Sequence, residues 1–115
     1  MLISRLVLND RCDIKTIVKN EIEIVLAGEN RKVYAKSFKA SGTKTTYLFI
    51  YEEYYMRINS DLTVTIVAES DNDKTVVDLI ASGVCVGFTS FNYGAEKSSL
   101  KALTSKLKEF GFEEV

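Results

Sequence analysis

The chain reads as an α+β domain: a single antiparallel sheet with both helices packed on one face, in the order β-α-β-β-β-β-α. Three observations predict this. Apolar residues recur at helical spacing twice, once near the start of the chain and once at its end. Between those stretches the pattern alternates with period two across four consecutive segments. Short polar turns such as Ser70-Asp71-Asn72-Asp73 separate the segments, and turns that short join antiparallel neighbours.

Taken in order, Leu2 to Leu8 is apolar enough for a strand inside a sheet. Asn9 and Asp10 offer an N-cap, and Asp13 sets a negative charge in the first helical turn, where the dipole favours it. Ile14, Ile17, Val18, Ile22, Val25 and Leu26 then form one helical stripe, with Gly28 placed to end it. Glu21-Ile22-Glu23-Ile24-Val25 also alternates and is rich in β-branched residues, which favours a strand. The stripe runs unbroken through that segment, so the prediction is helix.

Lys32 to Lys39 is a polar-rich strand, and Ala40-Ser41-Gly42-Thr43 is its turn. Thr45 to Ile58 forms a long strand, turned by Asn59-Ser60-Asp61. In Leu62 to Glu69 the alternation is cleanest: Leu62, Val64, Ile66 and Ala68 face one way. Thr75 to Phe88 is the last strand, where Gly83 and Gly87 mark a bulge or a close backbone approach. After a loop at 89–94, a helix runs from Gly94 or Ala95 to Phe110, burying Leu100, Leu103, Leu107 and Phe110. Gly111 ends it, and Phe112 folds back as in a Schellman cap. Leu48, Val64, Ile66, Leu103 and Leu107 are the predicted heart of the core.

Composition limits the chemistry. The 115 residues include no His, Pro or Trp. General acid–base catalysis near neutral pH most often uses His, so any acid or base here is a carboxylate, Tyr, Lys or Cys. The length suits one domain spanning residues 1–115, able to fold without disulfide or metal. A net charge of −1 and a pI near 5.5 argue against a nucleic-acid partner. No apolar run approaches the ~20 residues needed to span a bilayer, so no membrane role is expected. The N-terminal stretch does not read as a secretory signal, which implies a cytoplasmic setting. Cys12 and Cys85 lack metal-ligand spacing, and no motif calls for a cofactor.

The densest chemistry is Tyr51-Glu52-Glu53-Tyr54-Tyr55-Met56-Arg57. On a strand, Leu48, Ile50, Glu52, Tyr54, Met56 and Ile58 share one face. Glu52 is then an acid on an apolar face, costly to bury unless paired. It is either a polar anchor in a ligand pocket, with Tyr54 and Met56, or an acid turned outward by a bulge. The opposite face carries Tyr47, Phe49, Tyr51, Glu53, Tyr55 and Arg57. If the helices cover the first face, these aromatics form an exposed patch suited to an interface, or they only stabilise the sheet by cross-strand pairing.

Other signals favour plain structural roles. Cys12 lies where a helix dipole lowers a thiol pKa, but Asp10 and Asp13 oppose that. Asp71-Asn72-Asp73 resembles the start of a calcium loop, yet Val76 and Ser82 stand where that loop needs Gly and Glu. Arg31, Lys32, Lys36, Lys39 and Lys44 make one strand basic, a common protection for a sheet edge.

The segment order resembles the fold of the TATA-binding-protein domain and of the START-like helix-grip ligand binders. Tyr51-Glu52-Glu53-Tyr54-Tyr55-Met56-Arg57, Leu62-Thr63-Val64, Ala81-Ser82-Gly83 and Tyr93-Gly94-Ala95-Glu96 also look like a family of small, uncharacterised Firmicutes proteins. That similarity spans roughly residues 10–110 and implies a bacterial cytoplasmic setting, with no catalytic residues to carry over. The family carries more glycine where this chain has Val84 and Cys85.

The leading functional expectation is a non-enzymatic binding or self-association domain, a homodimer through Tyr47, Phe49, Tyr51, Tyr55 and Arg57. The alternative is a carrier or sensor holding a small apolar ligand between sheet and last helix, lined by Glu52, Tyr54 and Met56. A third is an enzyme using Glu52 or Asp78 with a Tyr, which no residue pattern requires.

Overall fold

Alternating apolar residues in the stretch from Leu62 to Ala68 bury one side of a strand, and the rest of the sheet is built around that side. The computed structural model describes residues 2–22, 29–39, 44–55, 60–85 and 89–115. Its elements are β1 (Leu2–Leu8), α1 (Ile14–Ile17) running into a π-helical turn (Val18–Ile22), β2 (Glu29–Lys39), β3 (Thr45–Tyr55), β4 (Ser60–Ser70), β5 (Thr75–Cys85), α2 (Thr89–Glu109) and β6 (Glu113–Glu114). All six strands form one antiparallel sheet in the order β2-β3-β4-β5-β1-β6. The α+β class and the order of elements match the sequence-based expectation, with one further short strand after α2.

The meander runs from β2 to β5, and β1 closes on the far side of β5 with Leu6 opposite Val77. That gives the apolar β1 a neighbour on each flank, while the basic β2 takes the open edge. The ladder of β2 on β3 shifts register between Lys32 and Tyr34. This is the irregularity that the glycines had suggested for β5, where Gly83 instead pairs in register with Leu62.

Helix α1 starts later than Asn9 and Asp10 implied. Its N-cap is Asp13, whose carboxylate accepts from the Thr16 amide at 3.4 Å and the Thr16 hydroxyl at 2.7 Å. Ile14, Ile17, Val18 and Ile22 are buried, so residues 14–22 are helical rather than extended. Val25, Leu26 and Gly28 lie outside the described residues, as do the turn expected at 40–43, the last residues of the strand expected to run to Ile58, Asn59 of its expected turn, and Gly87. Lys106 of α2 bridges Glu21 and Glu109, at 3.3 Å each, tying the π-helical turn to α2.

Helix α2 packs over β5, β1 and β4. Leu100, Leu103 and Leu107 are buried as predicted. The helix begins about a turn and a half before the expected start, and Phe110 is 41% exposed. Phe112 takes its place in the core. Gly111 has φ +97°, its amide donates to Lys108 and the Phe112 amide donates to Leu107. That is the Schellman arrangement, and it swings Phe112 inward.

The helix-facing side of the sheet carries Leu6, Phe49, Tyr51, Leu62, Val64, Ile66, Ala68, Val77, Leu79 and Ala81, all buried. Here the face predicted for β3 is inverted. Phe49 is opposite Ile66 and Tyr51 opposite Val64, so both rings point at the core, 7% and 1% exposed. Leu48, opposite Val67, is only half-buried on the other side. The reason is register. A three-residue turn at 59–61 would pair even-numbered residues of β3 with even-numbered residues of β4. The observed ladder pairs Tyr55 with Ser60, which sets odd against even. A shift of one residue flips every side chain of a strand to the other face.

Candidate binding surfaces

Residues expected at a site fall in different places. Phe49 and Tyr51 are covered by the chain's own core and present nothing to a partner. Tyr47 is half-buried, packs against the core and stacks on Phe49, ring centroids 6.3 Å apart. Tyr54 and Tyr55 end β3 opposite Asp61 and Ser60, with side chains outside the described part. Met56 and Arg57 lie outside the described residues. Glu52 is half-buried and shares the outer face with Leu48 and Ile50, opposite Thr63. Register alone turns it away from the helices, without a bulge. It therefore does not line a pocket between the sheet and α2.

The first surface is that outer face. Cross-strand rows set Leu48 beside Val67, Asp78 and Arg5, and Ile50 beside Thr65, Ile80 and Ile3. Arg5 clamps Asp78 through both carboxylate oxygens, at 2.7 and 3.0 Å, and this pairing raises the guanidinium's already high pKa. Toward β2, the Lys36 ammonium sits 4.9 Å from the centre of the Phe38 ring. Among the described elements none packs on this face. Asp78, named from the sequence as a possible enzymatic acid, has this cross-strand arginine as its partner.

A second surface lies where α2 passes beside β1. Strand β6 pairs only with Leu6 and Val7, and the Val115 amide donates to the Arg5 carbonyl at 2.9 Å. Beyond that point the β1 edge borders an open groove of about 450 Å³, lined by Leu2, Ile3 and Ser4 on one side and α2 on the other. Lys97, Lys101 and Lys108 of α2 line it. At its inner end the Glu114 carboxylate accepts from the Ser4 hydroxyl at 2.9 Å and pairs with Lys108 at 3.4 Å. Those contacts hold its pKa below the usual glutamate value, the Ser4 hydrogen bond being the larger cause. Nothing local in the sequence marks these lysines, because the strand edge beside them is brought there by pairing between distant segments.

Cys12 is half-buried beside the core, and burial, then Asp13 and Asp10, push its thiol pKa up. A raised thiol holds less thiolate and is a poor nucleophile. Asp71 and Asn72 shape an exposed turn, the Asp71 carboxylate accepting from the Asn72 amide at 2.8 Å. Among the described residues no three His, Cys, Asp or Glu side chains converge as a metal site. No helix among them is long and apolar enough to cross a membrane.

Comparison with curated proteins and with solved structures returns no match. A protein-family model does match, over residues 11–111, which takes in the whole span from the α1 cap to the end of α2. That stretch holds all of the buried core except Leu6 and Phe112. The chain belongs to the family of unknown function DUF6054.

Proposed function

We propose that this domain is a non-enzymatic binding module that self-associates as a homodimer through the outer face of its sheet. The observation that supports this is the half-buried aliphatic surface of Leu48, Ile50, Val67 and Ile80 around the Arg5–Asp78 pair. Apolar surface left facing water marks an interface, and one such face serves both subunits of a two-fold contact. The molecule's larger extents, 47 and 24 Å, allow a face on the scale of the ~800 Å² per partner that stable interfaces bury. The resemblance to small Firmicutes proteins supports a bacterial cytoplasmic setting, and the element order supports a helix-grip-like ancestry. A carrier of a small apolar ligand has less support, because Glu52 faces away from α2 and the described sheet–helix interior is filled by Leu6, Ile66, Leu79, Leu103 and Leu107.

Sedimentation velocity at about 50 µM, a concentration at which micromolar dimers are well populated, tests the reading. The wild type is expected to sediment as a dimer, and Ile50→Glu with Ile80→Glu as a monomer with an unchanged far-UV circular-dichroism spectrum. A monomeric wild type at that concentration overturns it.

A further inference from the structure

We infer that the open edge of β1 is a β-augmentation site for an acidic extended peptide, held between β1 and the lysine row of α2. This surface is distinct from the outer face and does not depend on it. Three observations carry the inference.

The first is the backbone. Amides and carbonyls alternate sides along a strand, and Arg5 directs its carbonyl toward β6. Ile3, two residues earlier, therefore directs its N–H and C=O the same way, into the groove and past the end of β6. Its side chain is 64% exposed. An edge of this kind is a template for another strand.

The second is charge. Lys97 and Lys101 are exposed and form no ion pair among the described residues. With Lys108 they project from one side of α2, since spacings of four and seven return to nearly the same helical angle. At 1.5 Å per residue the row is roughly 16 Å long. Three alternate residues of an added strand span about 13 Å. Carboxylates at alternate positions would meet Lys97 and Lys101, continuing the row past the existing Lys108–Glu114 pair.

The third is that the fold already holds one example of the occupant's chemistry. Glu114 sits on a strand paired to β1, and its carboxylate takes the Ser4 hydroxyl and Lys108. An added acidic strand extends that arrangement along β1 past Ser4, beside Ile3 and Leu2. The groove volume, about 450 Å³, suits a few residues of extended chain rather than a folded partner.

The probe is a fluorescein-labelled hexapeptide of alternating valine and glutamate, read by anisotropy against the full chain at low salt. The expected result is saturable binding that weakens roughly tenfold or more with added salt or with glutamine in place of glutamate. Lys97→Glu combined with Lys101→Glu should weaken it similarly while leaving the melting curve in place, since both side chains are exposed. N-methylation of the peptide on its ladder-facing amides should abolish binding, because it removes main-chain hydrogen bonds without changing charge. No binding at about 1 mM peptide, the weak end of measurable affinity, overturns the inference. Equal binding by the N-methylated peptide overturns it too, as does complete displacement by equimolar glutarate, which would mark a site for small dicarboxylates.

Discussion

Ser70 and Thr75 face each other across the mouth of the β4–β5 hairpin, their hydroxyl oxygens 3.2 Å apart and both side chains sealed from water. Each hydroxyl also reaches the loop after β1: Ser70 donates to the Cys12 carbonyl at 3.3 Å and Thr75 to the Asp10 carbonyl at 2.9 Å. Two hydroxyl protons thus serve three contacts, and the pair pins the loop that launches α1. Losing a partly buried hydrogen bond of this kind costs about 1 kcal/mol. Thr75→Val, nearly unchanged in shape, is expected to lower unfolding stability by that amount in urea titration. An unaltered midpoint would mean that water replaces the hydroxyl.

The two faces of β3 can be told apart by stability. Phe49 is in the core and Leu48 is not. Phe49→Ala should cost about 3–5 kcal/mol, the usual price of a large core truncation. Leu48→Ala should cost about 1 kcal/mol or less, in keeping with a half-exposed position. Chemical denaturation of both variants checks the order, and the reverse ranking would place the register one residue away.

Gly111 should tolerate no side chain without loss. Its φ of +97° is unfavourable for any other residue, and a Cβ would stand 3.3 Å from Leu8 Cδ1. Gly111→Ala is expected to destabilise by about 1–2 kcal/mol and to weaken the docking of Phe112. A thermal melt with a midpoint equal to wild type would contradict this.

Glu114 gives the fold an acid-sensitive contact. Its carboxyl pKa is depressed in the folded chain by Ser4 and Lys108, so the unfolded chain binds the proton more readily. The stability it contributes is therefore complete above the ordinary glutamate value of about 4.3 and is lost as pH falls through the lower folded value. Ser4→Ala should flatten that part of the stability-versus-pH curve, measured by urea titration at stepped acidic pH. A curve identical to wild type below pH ~4.3 would remove Glu114 from the account.

What the sequence determined by itself was local. One side of Leu62–Ala68 is wholly apolar while the other carries Thr63, Thr65 and Val67, so its buried face follows from alternation. The Leu100, Leu103 and Leu107 stripe and the Gly111 stop likewise depend on neighbours within a turn or two. Segment β3 is different, because Leu48 and Ile50 on one side match Phe49 and Tyr51 on the other in hydrophobicity. Alternation then carries no choice of face, and pairing with β4 decided it. Both candidate surfaces depend on that longer-range information. The outer face exists because register sent Leu48, Ile50 and Glu52 outward, and the groove exists because β6 returns to β1 for only two residue pairs. Pairing between distant segments is set by the total burial of the assembled sheet, a quantity no short window of sequence contains.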